Sequence, residues 1–197
     1  MLDMARQGRP FLMNVQTDEV TRHRMDLYRK TMREAGFDDA AVATAVDHTW
    51  IWRNIFIADT DAEAARLGVP LFEAQREQRA MMRKRIAVER GESMVSHAET
   101  GVAPAARNVV EHGLIYGSPT TVAERLAKLH QIGIGGLILQ FRVGPSPYEV
   151  TERSIRLFME KVAPEFQARS SPINPASESS PSPAARHQQR AWYDHGR

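Results

Sequence analysis

The sequence predicts an α/β fold with parallel strands, and three observations carry that expectation. Short β-rich runs alternate along the chain with stretches whose apolar residues recur every three or four positions, so strand and helix periods follow one another in turn. Most of the helical stretches open on a side chain able to cap a free backbone amide, which marks where each begins. The run Leu137-Ile138-Leu139-Gln140-Phe141 is too apolar for a strand with one wet face, which predicts a place interior to a parallel sheet.

The first unit opens with Phe11-Leu12-Met13-Asn14-Val15 after Pro10, followed by Thr17 as a cap and by Asp18 and Glu19 as first-turn acids. Its helix is expected to run to Ala35, with Val20, Leu27, Tyr28, Thr31, Met32 and Ala35 on the apolar stripe and Gly36 in a left-handed C-terminal turn. A second unit begins near Trp50, where 51–58 is β-rich and Thr60-Asp61-Ala62-Glu63 forms a capping box. Gly68-Val69-Pro70 is expected to interrupt the helix that follows, since proline clashes with the preceding turn, and a separate helix is expected over 71–90. Weak periodicity over 92–107 predicts a long loop. Ser118 as cap, with Pro119 at the first helical position, opens a third helix whose stripe Val122, Leu126, Leu129 and Ile132 stops at Gly133. After the strand at 137–141, Ser146-Pro147-Tyr148-Glu149 predicts another capping box, and Ile155, Phe158, Met159 and Val162 the buried face of a helix ending before Pro164.

Composition narrows the classes of function. The chain has 197 residues, 42% of them hydrophobic and 25% charged, with a formal net charge of +2 and no cysteine. A disulfide scaffold, a thiol nucleophile, an iron–sulfur cluster and thiolate zinc sites are thereby excluded. No run approaches the roughly 18 to 20 apolar residues of a membrane span, and Asp3, Arg6 and Arg9 stand where a signal peptide would be apolar. A cytoplasmic protein without membrane contact is the expectation. From 168 to 197 serine and proline dominate, which predicts a disordered tail following a folded domain at 1–167. Arg169, Arg186, Arg190 and Arg197 against Glu178 and Asp194 account for the whole net charge, so a basic balance confined to this tail does not argue for nucleic acid as a partner.

Few residues stand out for chemistry. The glycines of Gly133-Ile134-Gly135-Gly136 follow a helix and precede a strand, the reverse of the strand–loop–helix order that aims amides at a phosphate. Histidines at 23, 48, 97, 112, 130, 187 and 195 show no metal-ligand spacing, and no serine sits in a nucleophile elbow, so neither a metal site nor a catalytic residue is assigned. Arg76, Arg79, Arg83, Lys84, Arg85 and Arg90, offset by Glu73, Glu77 and Glu89, are expected on a solvated helix face. In parallel α/β folds ligands meet the C-terminal ends of strands. That rule singles out Asn14 and Gln16 as substrate-binding candidates, Asp59 and Thr60 beside the second strand, and Gln140 and Arg142 as cofactor-binding candidates. A polar and a cationic side chain ending an apolar strand suit a phosphate or carboxylate.

Three blocks in order, GSPTTVAERL at 117–126, GLILQF at 136–141 and SIRLFMEKVAP at 154–164, resemble the C-terminal end of the luciferase-like flavin-dependent monooxygenases. Upstream, 28–36 and IADTDAEA at 57–64 are similar to the same family's later βα units, so the resemblance spans about 9–166. It implies the C-terminal portion of a (β/α)8 TIM barrel, roughly three βα units. It also implies reduced FMN or a deazaflavin coenzyme as cofactor, a small organic substrate oxidised with molecular oxygen, and a flavin reductase as partner. A closed barrel takes about 250 residues, so the missing strands would come from an N-terminal half or from a homodimer. The resemblance equally admits a noncatalytic barrel remnant or interaction module.

Overall fold

The structure, a computed structural model, describes residues 1–91 and 105–167. The expected tail at 168–197, and 92–104 of the expected loop, lie outside the described residues. Met1–Glu165 forms one compact unit, and a second unit begins at Phe166.

Helix α1 (Leu2–Arg6) precedes β1 (Leu12–Met13), and α2 (Asp18–Glu34) starts where Thr17 accepts the Val20 N–H at 3.2 Å. The buried stripe of α2 is Thr21, Met25, Tyr28, Thr31 and Met32. Val20 and Ala35, expected on it, face outward, because Tyr28 sets the helix's rotation: its hydroxyl donates to the Arg9 carbonyl at 2.7 Å and its ring meets Phe11 edge-on. Gly36 has the expected left-handed backbone, at φ +92°. A short helix α3 (Asp39–Asp47), capped by Asp38, intervenes before β2 (Trp50–Ile57).

Helix α4 (Asp61–Glu89) corrects the sequence reading most. The Thr60 hydroxyl caps it through the Glu63 N–H at 3.1 Å as expected, while Glu63 reaches one residue past the cap, to the Asp59 N–H, so the reciprocal bond of the expected box is displaced. The interruption at Pro70 does not occur. An interior proline costs about 3 kcal/mol, and burial of Ala64, Gly68 and Phe72 on both sides of it holds the helix in one piece. At Gly68 an added Cβ would lie 2.8 Å from the Phe56 ring, so glycine is what lets α4 lie close on β2.

A 3₁₀ turn (Ala106–Asn108) and α5 (Val110–Gly113) lead to β3 (Leu114–Gly117), a strand that the four-residue run did not announce. Helix α6 (Pro119–His130) has the expected cap, first-position proline and stripe. Strand β4 (Gly136–Gln140) is parallel as expected but half-buried throughout; among the described strands it pairs with β2 alone, so an interior position is not observed. Helix α7 (Tyr148–Leu157) begins one residue late for the expected box: Pro147 is the flanking residue and the Ser146 hydroxyl turns to Thr151 and the Pro147 carbonyl. It buries Ser154 and Leu157, leaving Ile155 and Met159 exposed, because the Ser154 hydroxyl accepts the Ile57 N–H at 2.8 Å and so fixes which side faces the strand. The helical path continues past Pro164 through a π-helical turn (Phe158–Val162) into α8 (Ala163–Gln167), where an earlier stop was expected.

All described strand pairs are parallel. Trp50 and Ile51 pair with both β1 and β4, and Asn54 with both β3 and β4. A strand has only two edges, so β4 runs along one side of β2 while β1 and β3 share the other, end to end. Alternation along β2 separates Ile51, Arg53, Ile55 and Ile57 from Trp50, Trp52, Asn54 and Phe56. The first set is fully buried, whereas the second carries α4. No helix among the described residues is long and apolar enough to cross a membrane.

Candidate functional site

The contact of Gly68 with Phe56 places the first half of α4 on the Trp52 face of β2. Further on, the helix passes the segment after β4: Val143 is buried with Phe72, and a Cβ at Gly144 would collide with the Leu71 carbonyl. The second half of α4 thus runs back over the sheet and leaves an open cleft of about 780 Å³ beneath it, against the end of β1 and the middle of β2 and β4. Its floor is Leu12, Met13, Asn14, Val15, Trp52, Asn54 and Ile138, and its roof is Gln75, Gln78, Arg79, Met82 and Arg83, with Arg107 at the side. The volume lies within the usual range for small-molecule sites, about 300 to 1,000 Å³.

Two buried groups in this cleft lack partners among the described residues. Asn54, 2% exposed, donates its amide to the Gly113 carbonyl at 2.7 Å, while its Oδ1 accepts nothing. Gln75, 8% exposed, has an unpaired Oε1. A buried acceptor without a donor costs about 1–3 kcal/mol, so two of them along one cleft form a debt that a bound N–H or O–H would settle. Electrostatics add to this. The Arg79 guanidinium is held below its ordinary range by burial first and then by repulsion from Arg107 and Arg83, and no Asp or Glu is among the described residues that line the cleft. Nor is any Ser, Thr, His, Lys or Tyr among them, so the described lining contains binding groups and no nucleophile or general base.

Of the residues singled out from sequence, Asn14 lines the cleft, its Oδ1 accepting the Val15 N–H. Gln16, Gln140 and Arg142 do not line it. Gln16 gives its carbonyl to the Arg53 guanidinium, and Gln140 donates to the Arg142 carbonyl at 3.0 Å while its Oε1 lies buried and unpaired. Arg142 is exposed. Asp59 and Thr60 serve structure: Asp59 pairs with Arg153 of α7, and Thr60 caps α4. Asn54, Gln75, Arg79 and Arg107 escaped the sequence reading. An uncharged amide inside the apolar strand at 50–57 was the available signal for Asn54; the basic stretch of α4, expected to be solvated, has Arg76 and Arg79 half-buried because the helix folds back over the sheet.

The N-terminal ends of the helices that follow strands are already supplied with oxygens. Asp18 and Glu19 sit in the first turn of α2, Asp61 and Glu63 in that of α4, and Glu149 in that of α7. At α6 the Asp61 carboxylate accepts the Ser118 N–H at 2.6 Å and the Thr121 hydroxyl at 2.9 Å, contacts that hold its carboxyl below the usual range. Among the described residues no group of three or more His, Asp or Glu is placed to hold a metal ion.

Comparison with known proteins agrees with the parallel α/β architecture. The family model described as luciferase-like monooxygenase matches residues 2–135. No protein with a curated description matches the chain. Among solved structures, the monooxygenase RslO1 from Streptomyces bottropensis is similar with a TM-score of 0.57 and 23% identity, over 84% of this chain and 44% of that one. The oxygenating constituent of 3,6-diketocamphane monooxygenase from Pseudomonas putida, in complex with FMN, gives 0.50 and 22% over 83% and 44%. The coenzyme F420 dependent tetrahydromethanopterin reductase from Methanopyrus kandleri gives 0.50 and 18% over 84% and 49%. Likeness at these identities concerns the fold alone, and the chain spans less than half the length of each of these structures.

Proposed function

The chain belongs to the luciferase-like monooxygenase family, and from that membership we propose that it serves the flavin-dependent oxidation of a small organic substrate by oxygen. In this reading its sheet supplies the later strands of a (β/α) barrel, and the cleft beneath α4 is the substrate side of the active centre. The observation that carries it is the composition of that cleft: apolar walls, unpaired acceptors and cations, with no acid, base or nucleophile among the described residues that line it. Such a site binds and orients, and the chemistry comes from a bound group. A bound flavin such as the FMN of the diketocamphane relative would supply the electrons that reduce oxygen, whereas F420, on which the reductase depends, would supply a hydride instead.

The described residues do not offer a flavin phosphate the cradle it commonly takes. Free amides at a helix start after a strand are the usual one; here hydroxyls cap those starts at α2, α4 and α6, and α7, which has no side-chain cap, carries the like charge of Glu149 in its first turn. Phosphate contacts are therefore assigned to polypeptide outside the described residues, and the cleft to the organic substrate. Leu12, Trp52, Met82 and Ile138 give it apolar walls, while Asn54 and Gln75 fix orientation.

The test supplies the full chain with reduced FMN, continuously regenerated by a flavin reductase, and offers a panel of ketones, aldehydes and phenols. Oxygen-dependent product above the rate without the chain is expected. A folded chain that adds nothing to that rate overturns the catalytic reading. One observation then favours an interaction module: Leu12 is 68% exposed and Trp50 and Trp52 are 43% exposed, apolar surface of the kind a partner half or a second copy covers. Light scattering would show that as a dimer or complex.

A further inference from the structure

We propose that the cleft beneath α4 selects organic anions that also carry an O–H or N–H donor, the anion meeting Arg79 and Arg107 and the donor meeting Asn54 Oδ1 or Gln75 Oε1. The inference rests on the reading of this cleft as the substrate side and specifies the class of substrate.

Three features lead to it. Arg79, Arg83 and Arg107 line one cleft, and among the described residues no carboxylate lines it with them and none of the three has an ion-pair partner. Like charges held together in a half-buried place repel, and a bound anion relieves that repulsion, whereas a neutral ligand leaves it standing. The two orphaned oxygens are acceptors only, so they demand a donor from the ligand and penalise one that lacks it. Between these polar ends lie Trp52, Met82, Leu12 and Ile138, which suit an apolar or aromatic middle. Anion, apolar body and donor together describe a hydroxylated or amide-bearing carboxylate more closely than an aldehyde or a simple ketone.

Binding to the full chain without any flavin, measured by calorimetry, tests it with three probes of one size. 4-Hydroxybenzoate has both features, 4-methoxybenzoate lacks the donor and methyl 4-hydroxybenzoate lacks the charge. The first is expected to bind about tenfold more tightly than either of the others, the increment of one charged or buried hydrogen bond. Its affinity should fall with added salt, and Arg79→Gln should remove the preference over the ester while leaving the preference over the methoxy compound. Equal affinity for the three probes, or no binding of the first, overturns the proposal. FMN bears an anion of its own, so displacement of 4-hydroxybenzoate by FMN but not by riboflavin would reassign the arginines to the flavin phosphate and overturn it as well. These outcomes are independent of turnover: probe selectivity without oxidation removes only the oxygenase reading, and oxidation without probe selectivity removes only this one.

Discussion

The two faces of β2 show how differently one strand can be used. On one, Ile51, Arg53, Ile55 and Ile57 are all at or below 2% exposure, and even the arginine is satisfied by backbone carbonyls of Trp52 and Gln16. On the other, Trp52 is 43% exposed and Asn54 is buried with an oxygen unpaired. The first face is closely packed and its one charged group is hydrogen-bonded, which is what stability requires. The second keeps room and unanswered polar atoms, and a site needs both.

This contrast breaks or sharpens on three measurements. The largest effect belongs to the closed face: Ile55→Ala should cost about 2–5 kcal/mol in denaturant unfolding, against about 1 kcal/mol or less for Trp52→Ala, although tryptophan is the larger residue. Comparable losses would show that the open face is also structural. Next, Ser154→Ala leaves the Ile57 N–H buried without its acceptor and should cost about 1–3 kcal/mol, readable in the same experiment and as faster exchange of that amide. The smallest effect is at Asp61. Its folded carboxyl titrates below its unfolded value, so its contribution is complete above about pH 4 and is lost as pH falls through the folded value. The difference in Tm between the native chain and Asp61→Asn should therefore shrink as pH falls below about 4, and a difference constant with pH would show that charge plays no part.

What was legible in the sequence was local. The caps Thr17, Thr60 and Ser118 are legible because a hydroxyl and an amide three residues on meet wherever a helix starts, and the apolar strands because their composition suits nothing else. Long-range placement was not legible. Pro70 is tolerated because Gly68 and Phe72 are anchored elsewhere, on Phe56 and in a cluster with Leu114 and Val143. Ile155 and Met159 were misassigned because Ser154 answers a strand amide distant in sequence by 97 residues. The cleft itself follows from the same cause, since only an unbroken α4 carries Gln75 and Arg79 back over β1 and β2. Asn14 joined it because strand ends are local information; Gln75, some sixty residues later in the chain, could not be found that way.

The Ser118 amide proton, at the start of α6, is shielded by a carboxylate from the first turn of α4, 57 residues away along the chain. When that turn frays, the shield leaves with it. Hydrogen exchange at Ser118 therefore times the opening of a helix to which Ser118 does not belong, and a ligand that clamps α4 over the sheet would slow a proton it never touches.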